Sequence, residues 1–392
     1  MNRPTGCAMA ALFSEAAPPE TILVICTARI GDVVLTTPVV RALKTKWPGA
    51  QIDMLIFEGT GGALENNPDI RRVIAVRRSA NLDACLGVVH KLWRRYDLAC
   101  SLKTSSVAML CCWMAGRKRV GVVAASGRSW TRRRLLHRFA VEHDASIHVV
   151  ESGAAVAELL GISPSFEVVP PAMSGAPEQR AHLDSLLAPA AGKPYVVLQT
   201  FPKYQYKRWH VEGWASLIRF VRSHGYAPVL TGGADAEEVS YANEVASHAG
   251  VEVIDLVGKL SFGATAEVIR RASLFVGPDT STTHVAAATG VPTIALFGPS
   301  NPMRWGPWPK GWTGSTPWTF VGSAQRGNVW LIQGNGGCVP CEQEGCERNL
   351  ASRSDCLSTL GAHRVIDAAA ALLRIAQDVR IKIPVFAERV VA

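Results

Sequence analysis

Short apolar runs alternate along most of the chain with longer segments whose apolar residues recur at helical spacing. In the first part this pattern predicts buried strands at Thr21–Thr27, Ile52–Phe57, Val73–Val76, Asp97–Leu102 and Arg119–Val123. Helices are predicted between them at Val33–Trp47, Gly59–Asn66, Leu82–Arg95 and Val107–Ala115, and Ile147–Leu160 closes this part. Pro38 sits either in the first turns of its helix or at a kink. The alternation predicts a parallel sheet covered on both faces.

A Pro-, Ala- and Ser-rich stretch, 163–194, reads as a connection between two domains, with one short helix around Gln179–Leu187. The alternation then restarts: strands at Tyr195–Thr200, Ala227–Leu230 and Val251–Leu256, helices at Val211–His224, Ala236–Ala249 and Phe262–Ala272. Ser273–Pro307 condenses the plan into strand, turn, helix, strand and loop. Ser273–Gly277 is the strand, His284–Thr289 the helix and Thr293–Phe297 the second strand. After Pro309 the pattern weakens until a long Ala- and Leu-rich helix, Ala362–Val379. The expected organisation is a lead-in over 1–20, a first domain over 21–162, the connection, a second domain over 195–360, and a terminal helix and tail over 361–392. Two such units would bind ligands at the carboxyl ends of their strands, in a cleft between them.

Composition narrows the class. The chain has 392 residues, 48% hydrophobic and 19% charged, which fits globular domains and not disorder. No apolar run reaches the roughly 18 residues of a membrane span, and Met1–Glu20 reads as a floppy lead-in and not a signal peptide. The ten cysteines lie mostly in predicted strands and helices, Cys26, Cys85, Cys100, Cys111 and Cys112 among them. That suits buried thiols in a reducing cytoplasm. The net charge of +9 is concentrated in Arg117–Arg138, where RKR precedes RSWTRRRLLHR. A solvated helix face is the common explanation of such a block. Trp130 and Leu135-Leu136 beside the arginines favour a membrane surface or a lipid-linked partner, and no nucleic-acid motif accompanies the charge.

Four constellations carry candidate chemistry. In Arg29-Ile30-Gly31-Asp32, Gly31 permits a tight turn, and Asp32 stands at a helix start as either a cap or a general base. Lys207 and Arg208 follow a strand's carboxyl end and suit a diphosphate. In Thr231–Glu238, Gly232 and Gly233 admit a ligand to the backbone, and a carboxylate there suits ribose hydroxyls. Asp279, Thr280 and Ser281 open the small-residue helix containing His284. They are either caps or an anion site on its free N–H groups. Separately, Cys338, Cys341, Cys346 and Cys356 could hold a structural zinc or iron, although their spacing fits no strict finger pattern.

ARIGDVVLTTPVVRALK, KRW, TGGADAEE, GPDTSTTHVAAATGVPTIALFGPSNP and the late cysteines occur in one order over Thr21–Val379. Together they resemble glycosyltransferase family 9, the ADP-heptose:lipopolysaccharide heptosyltransferases. The resemblance implies an α/β GT-B fold, two Rossmann-like domains with an interdomain cleft, whose C-terminal helix returns to the first domain. It implies inverting transfer of heptose from ADP-heptose to the lipopolysaccharide inner core, on a phosphorylated lipid-linked acceptor, without a metal in the chemistry. By the same resemblance Asp32 is the base, Lys207 stabilises the departing diphosphate, Asp279, Thr280, Ser281 and His284 form the sugar-nucleotide loop, and Glu237 is the best match for the ribose carboxylate, with Asp235 and Glu238 close.

Ser281 departs from the family pattern, which often has glycine there, and the Trp- and Gly-rich segment Pro309–Gly337 matches nothing in it. Two alternatives stand beside this reading. One is a relative class that glycosylates autotransporter proteins and carries cysteine-bound iron. The other is a non-catalytic nucleotide-sugar-binding protein, against which the joint presence of Asp32 and Lys207 argues.

Overall fold

The computed structural model describes residues 12–15, 17–78, 87, 90–124 and 140–375. Its architecture is two predominantly parallel sheets in an α/β arrangement. The first sheet holds β1 (Thr21–Cys26), β2 (Gln51–Phe57), β3 (Arg72–Val76), β4 (Tyr96–Ser101), β5 (Gly116–Val123) and β6 (Ala140–Glu142). Their order is β3-β2-β1-β4-β5-β6, and every neighbouring pair is parallel. Ile22, Val24 and Cys26 of β1 enter one core cluster, while Leu23 and Ile25 enter another on the opposite face. Apolar residues at successive strand positions are thus buried on both sides, which explains the continuous apolar run.

The second sheet holds β7 (Tyr195–Gln199), β8 (Ala227–Thr231), β9 (Ile254–Asp255), β10 (Leu274–Pro278), β11 (Thr293–Phe297), β12 (Ala324–Arg326) and β13 (Val329–Gln333). The order is β12-β13-β11-β10-β7-β8-β9, and only β12 runs antiparallel to its neighbour. Val196 and Leu198 face one cluster, Tyr195 and Val197 the other.

The expected helix Val33–Trp47 is two helices, Ile30–Val34 and Thr37–Lys46. Pro38 falls in the opening turn of the second, where its missing N–H costs no helical bond. The Gly59–Asn66 helix is one 3₁₀ turn, Gly61–Leu64. Most of the Leu82–Arg95 helix lies outside the described residues. So does the basic stretch from 125 to 138. Arg117–Arg119 are described, and they are not a free basic face. Arg117 pairs with Asp97 at 3.3 Å, Lys118 lies 4.0 Å from the Phe13 ring, and Arg119 is buried and donates to the Trp113 carbonyl at 3.3 Å.

The lead-in is also more tied down than expected at its described end. Leu12 and Phe13 pack against the first core, and the Phe13 ring meets Trp47 edge-on at 5.8 Å. The segment after Pro309, patternless in sequence, contributes β12 and β13 to the second sheet. Just before it, Trp308 is buried in the first core, with its ring 6.0 Å from the Phe166 ring and nearly parallel to it. The described part of the terminal helix, Ala362–Leu372, does not return to the first domain. Its Val365, Ala368 and Ala369 pack in a core of the second sheet, beside the helix Val211–Ser223. Among the described residues, Ala266, Val285, Ala288 and Trp308 from the second half of the chain are buried in the first sheet's core. No helix among them is long and apolar enough to cross a membrane.

Candidate active site

The carboxyl ends of both sheets open on one cleft of about 1160 Å³. One wall is the loop after β1 and its short helix, which supply Arg29, Gly31 and Asp32. The other carries Lys207, Gly232, Gly233, Glu237, Asp279, Thr280, Ser281 and His284.

Asp32 is 9% exposed. Its Oδ1 accepts from the Lys103 ammonium at 2.7 Å and its Oδ2 from the Arg29 backbone N–H at 3.3 Å. The Arg29 guanidinium stands 4.8 Å from the Tyr204 ring of the opposite wall. Gly31 serves a close approach instead of a tight turn. A β-carbon there would lie 3.3 Å from His284 Cδ2 and 3.7 Å from the Ser281 Cα. The helices Ile30–Val34 and Ser281–Thr289 therefore meet through a residue with no side chain.

Lys207 closes the 3₁₀ turn Gln205–Lys207 and pairs with Asp279, which is 9% exposed. Burial opposes the Asp279 charge, but Lys207 and then His284 outweigh it and hold the carboxyl below the usual range. His284 is pushed down by burial, against the pull of Asp279. Its Nδ1 is buried and has no hydrogen-bond partner among the described residues. Such a group is costly unless a ligand satisfies it.

Thr280 is the N-cap of the helix Ser281–Thr289, but its side chain makes no capping bond to the helix. The hydroxyl of Thr283 donates instead to the Pro278 carbonyl at 2.5 Å. The first N–H groups of a nine-residue helix are thereby left for an anion, beside a lysine. The observed helix starts three residues before the expected His284, because Ser281, Thr282 and Thr283 form its first turn.

One expected site residue sits differently. Arg208 does not line the cleft. Its guanidinium lies 4.0 Å from the Phe201 ring and donates to Glu237 at 2.6 Å, because the turn before His210 directs it towards the helix Ala236–Ala249. Glu237 and Glu238 both line the cleft; Glu237 is more than half exposed and tied to that arginine. Glu238 is the more buried of the two. It accepts from Gln199 at 3.0 Å and from the Gly233 N–H, and burial pushes its pKa up. A β-carbon on Gly232 would come within 2.5 Å of its Oε1, so a side chain there would displace the Glu238 carboxylate.

The cysteines do not assemble as expected. Among the described residues no three His, Cys, Asp or Glu side chains gather closely enough to ligate an ion. Cys356 is buried in a core of the second sheet, whereas Cys338 and Cys346 are exposed, and Cys346 Sγ accepts the Asp355 N–H at 3.3 Å. Burial pushes the Cys356 thiol up to about 11, and Cys341, Cys346 and Cys338 nearby add to this. This arrangement does not fit a structural zinc or iron. The same loop instead brings Glu342, Gln343 and Glu344 to the cleft, and Glu342 accepts from Asn301 at 3.2 Å.

Sequence reasoning missed these loop residues, and it missed Lys103. A signal for Lys103 existed: it is the first charged residue after β4, at the carboxyl end of a parallel strand.

The model of glycosyltransferase family 9 (heptosyltransferase) matches residues 86–316. This chain belongs to that family. Lipopolysaccharide heptosyltransferase 3 of Escherichia coli is 30% identical over 293 residues, 71% of this chain and 83% of the relative. Among solved structures, E. coli ADP-heptose lps heptosyltransferase II has a TM-score of 0.67 and 21% identity, covering 90% of this chain and 98% of that one. E. coli heptosyltransferase WaaC with ADP has a TM-score of 0.62 and 21% identity, covering 90% and 99%. The family 9 chain is thus a glycosyltransferase with the GT-B fold.

Proposed function

We propose that this enzyme transfers heptose, with inversion, from ADP-heptose to a hydroxyl of the lipopolysaccharide inner core, at the cytoplasmic face of the inner membrane. The observation that carries this is the placing of Asp32 on one wall of the cleft, opposite the Lys207–Asp279 pair and the free helix start at Thr280 on the other. In this reading the acceptor hydroxyl loses its proton to Asp32 as its oxygen bonds the anomeric carbon. The bond from that carbon to the diphosphate breaks, and the electron pair leaves with ADP. Lys207 and the helix N–H groups meet the leaving charge. Binding the donor between the walls would exclude the water that otherwise hydrolyses it.

His284 Nδ1 supplies an unsatisfied polar atom for the donor. Gly232 and Gly233 admit its ribose, with Glu237 or Glu238 as the carboxylate partner. The acceptor would be phosphorylated and lipid-linked, and the basic stretch before β6 would meet its anionic surroundings. The reading with a protein acceptor rested on cysteine-bound iron, and the cysteine loop lends it no support.

The test is to incubate the protein with ADP-heptose and either a lipid A–Kdo or a heptosylated core acceptor, following ADP release and acceptor mass. A gain of one heptose is expected. Donor binding without any mass gain on either acceptor would move the assignment to another acceptor or to a binding protein.

A further inference from the structure

Asp32 is held by a residue that no family motif brought to notice. Lys103 follows β4, and its backbone is pinned on both sides. Leu102 N–H donates to the Ile25 carbonyl at 3.0 Å, and Ser101 Oγ donates to the Lys103 carbonyl at 3.0 Å. The side chain runs beneath the loop after β1 to place its ammonium 2.7 Å from Asp32 Oδ1. The pair is largely buried, at 21% and 10% side-chain exposure.

We infer that Lys103 is the positioning residue of the catalytic base: it fixes the Asp32 carboxylate by one oxygen and leaves the other to take the acceptor's proton. This rests on the proposed role of Asp32. The geometry divides the two oxygens. Oδ1 faces a strong, charge-assisted donor, whereas Oδ2 has the Arg29 N–H at the longer 3.3 Å. A carboxylate on a short helix has free side-chain torsions, and the ammonium removes them before substrate arrives.

Lys103 stays protonated throughout: burial opposes its charge, but Cys26 and Asp32 outweigh burial and lift its pKa above the usual lysine value, with Arg304 pulling the other way. The proton therefore passes from acceptor to Asp32 and not to the lysine. Lys103 also borders a second, smaller cavity of about 270 Å³ with Ser105, His143 and Arg304.

The experiment compares wild type, Lys103→Ala, Lys103→Arg and Asp32→Ala in the heptosyl-transfer assay, with and without methylammonium. Lys103→Ala should lose about 10- to 100-fold in kcat while the donor KM stays within about twofold, the signature of an interaction used in the transition state. Methylammonium should restore a measurable part of that loss in Lys103→Ala and none in Asp32→Ala, and Lys103→Arg should fall between wild type and alanine. A purely structural lysine would give a variant with a lowered melting temperature and no response to the amine, and that result would overturn the inference. So would a Lys103→Ala kcat near wild type. If Asp32→Ala itself kept wild-type turnover, the base assignment would fail first and the inference with it. An Asp32→Ala variant without turnover, together with an insensitive Lys103→Ala, would overturn the inference alone.

Discussion

The imidazole of His284 rests on Gly31, its Cδ2 3.3 Å from the point a β-carbon on residue 31 would occupy. This contact joins the two walls of the cleft one residue away from Asp32, and His284 is 5% exposed, with little room to yield. Gly31→Ala should therefore push the helices Ile30–Val34 and Ser281–Thr289 apart and lower kcat/KM about tenfold, an overpacking cost at the low end of its usual range. Adding His284→Ala should cost less there than it does alone, because it also relieves the clash. Steady-state kinetics of the two single variants and the double variant check this. Full additivity would show that the ring and the glycine are not coupled.

Asp279 is buried and its partner Lys207 is 17% exposed, so removing the lysine strands a buried carboxylate. Lys207→Ala should cost about 3 kcal/mol of stability, as expected when a buried pair is broken. It should weaken ADP-heptose binding and turnover as well. The double variant Lys207→Ala, Asp279→Asn should regain most of the stability and none of the activity. Denaturant unfolding and calorimetric donor binding separate these effects, and recovery of activity in the double variant would remove Lys207 from the leaving-group role.

The strands were legible because a parallel sheet buried on both faces leaves continuous apolar runs, as in TILVIC of β1 and TIALF of β11. The short edge strand β6 was not, since Ala140–Glu142 is three residues long and only half-buried. The pair β12 and β13 was hidden by its Trp- and Gly-rich surroundings. Asp32, Lys207 and the helix start at Thr280 were readable as strand-end residues of chemical types that suit the reaction. That Glu237 is the exposed, arginine-paired carboxylate and Glu238 the more buried one was not, because it depends on the rotation of one helix. Arg208 was misplaced for a related reason: neighbours in sequence point to opposite sides of a turn, so Lys207 meets the cleft and Arg208 the Phe201 ring. Lys103 became visible only when two strand ends were brought side by side.

His148 caps the helix Val149–Leu159 through Nδ1, which accepts the Val150 N–H at 3.1 Å. Its Nε2–H donates to the Gly306 carbonyl at 2.8 Å, beside Trp308. Burial pulls its pKa from 6.5 down to about 3. Between those values the unfolded chain holds a proton that the folded one refuses. Stability is therefore full above about pH 6.5 and falls as the pH drops towards 3, by about 2 kcal/mol at pH 5. His148→Asn keeps a capping oxygen and loses the titration, so its melting temperature should depend less steeply on pH between 7 and 5. An unchanged slope would show that other groups set it.

The central claim is that Asp32 takes the acceptor's proton across the cleft from the donor's leaving group. The most direct measurement is the turnover of Asp32→Ala beside its affinity for ADP-heptose. Loss of at least about 100-fold in kcat, with donor affinity close to wild type, is the expected result for a general base. Turnover near the wild-type rate would contradict the account.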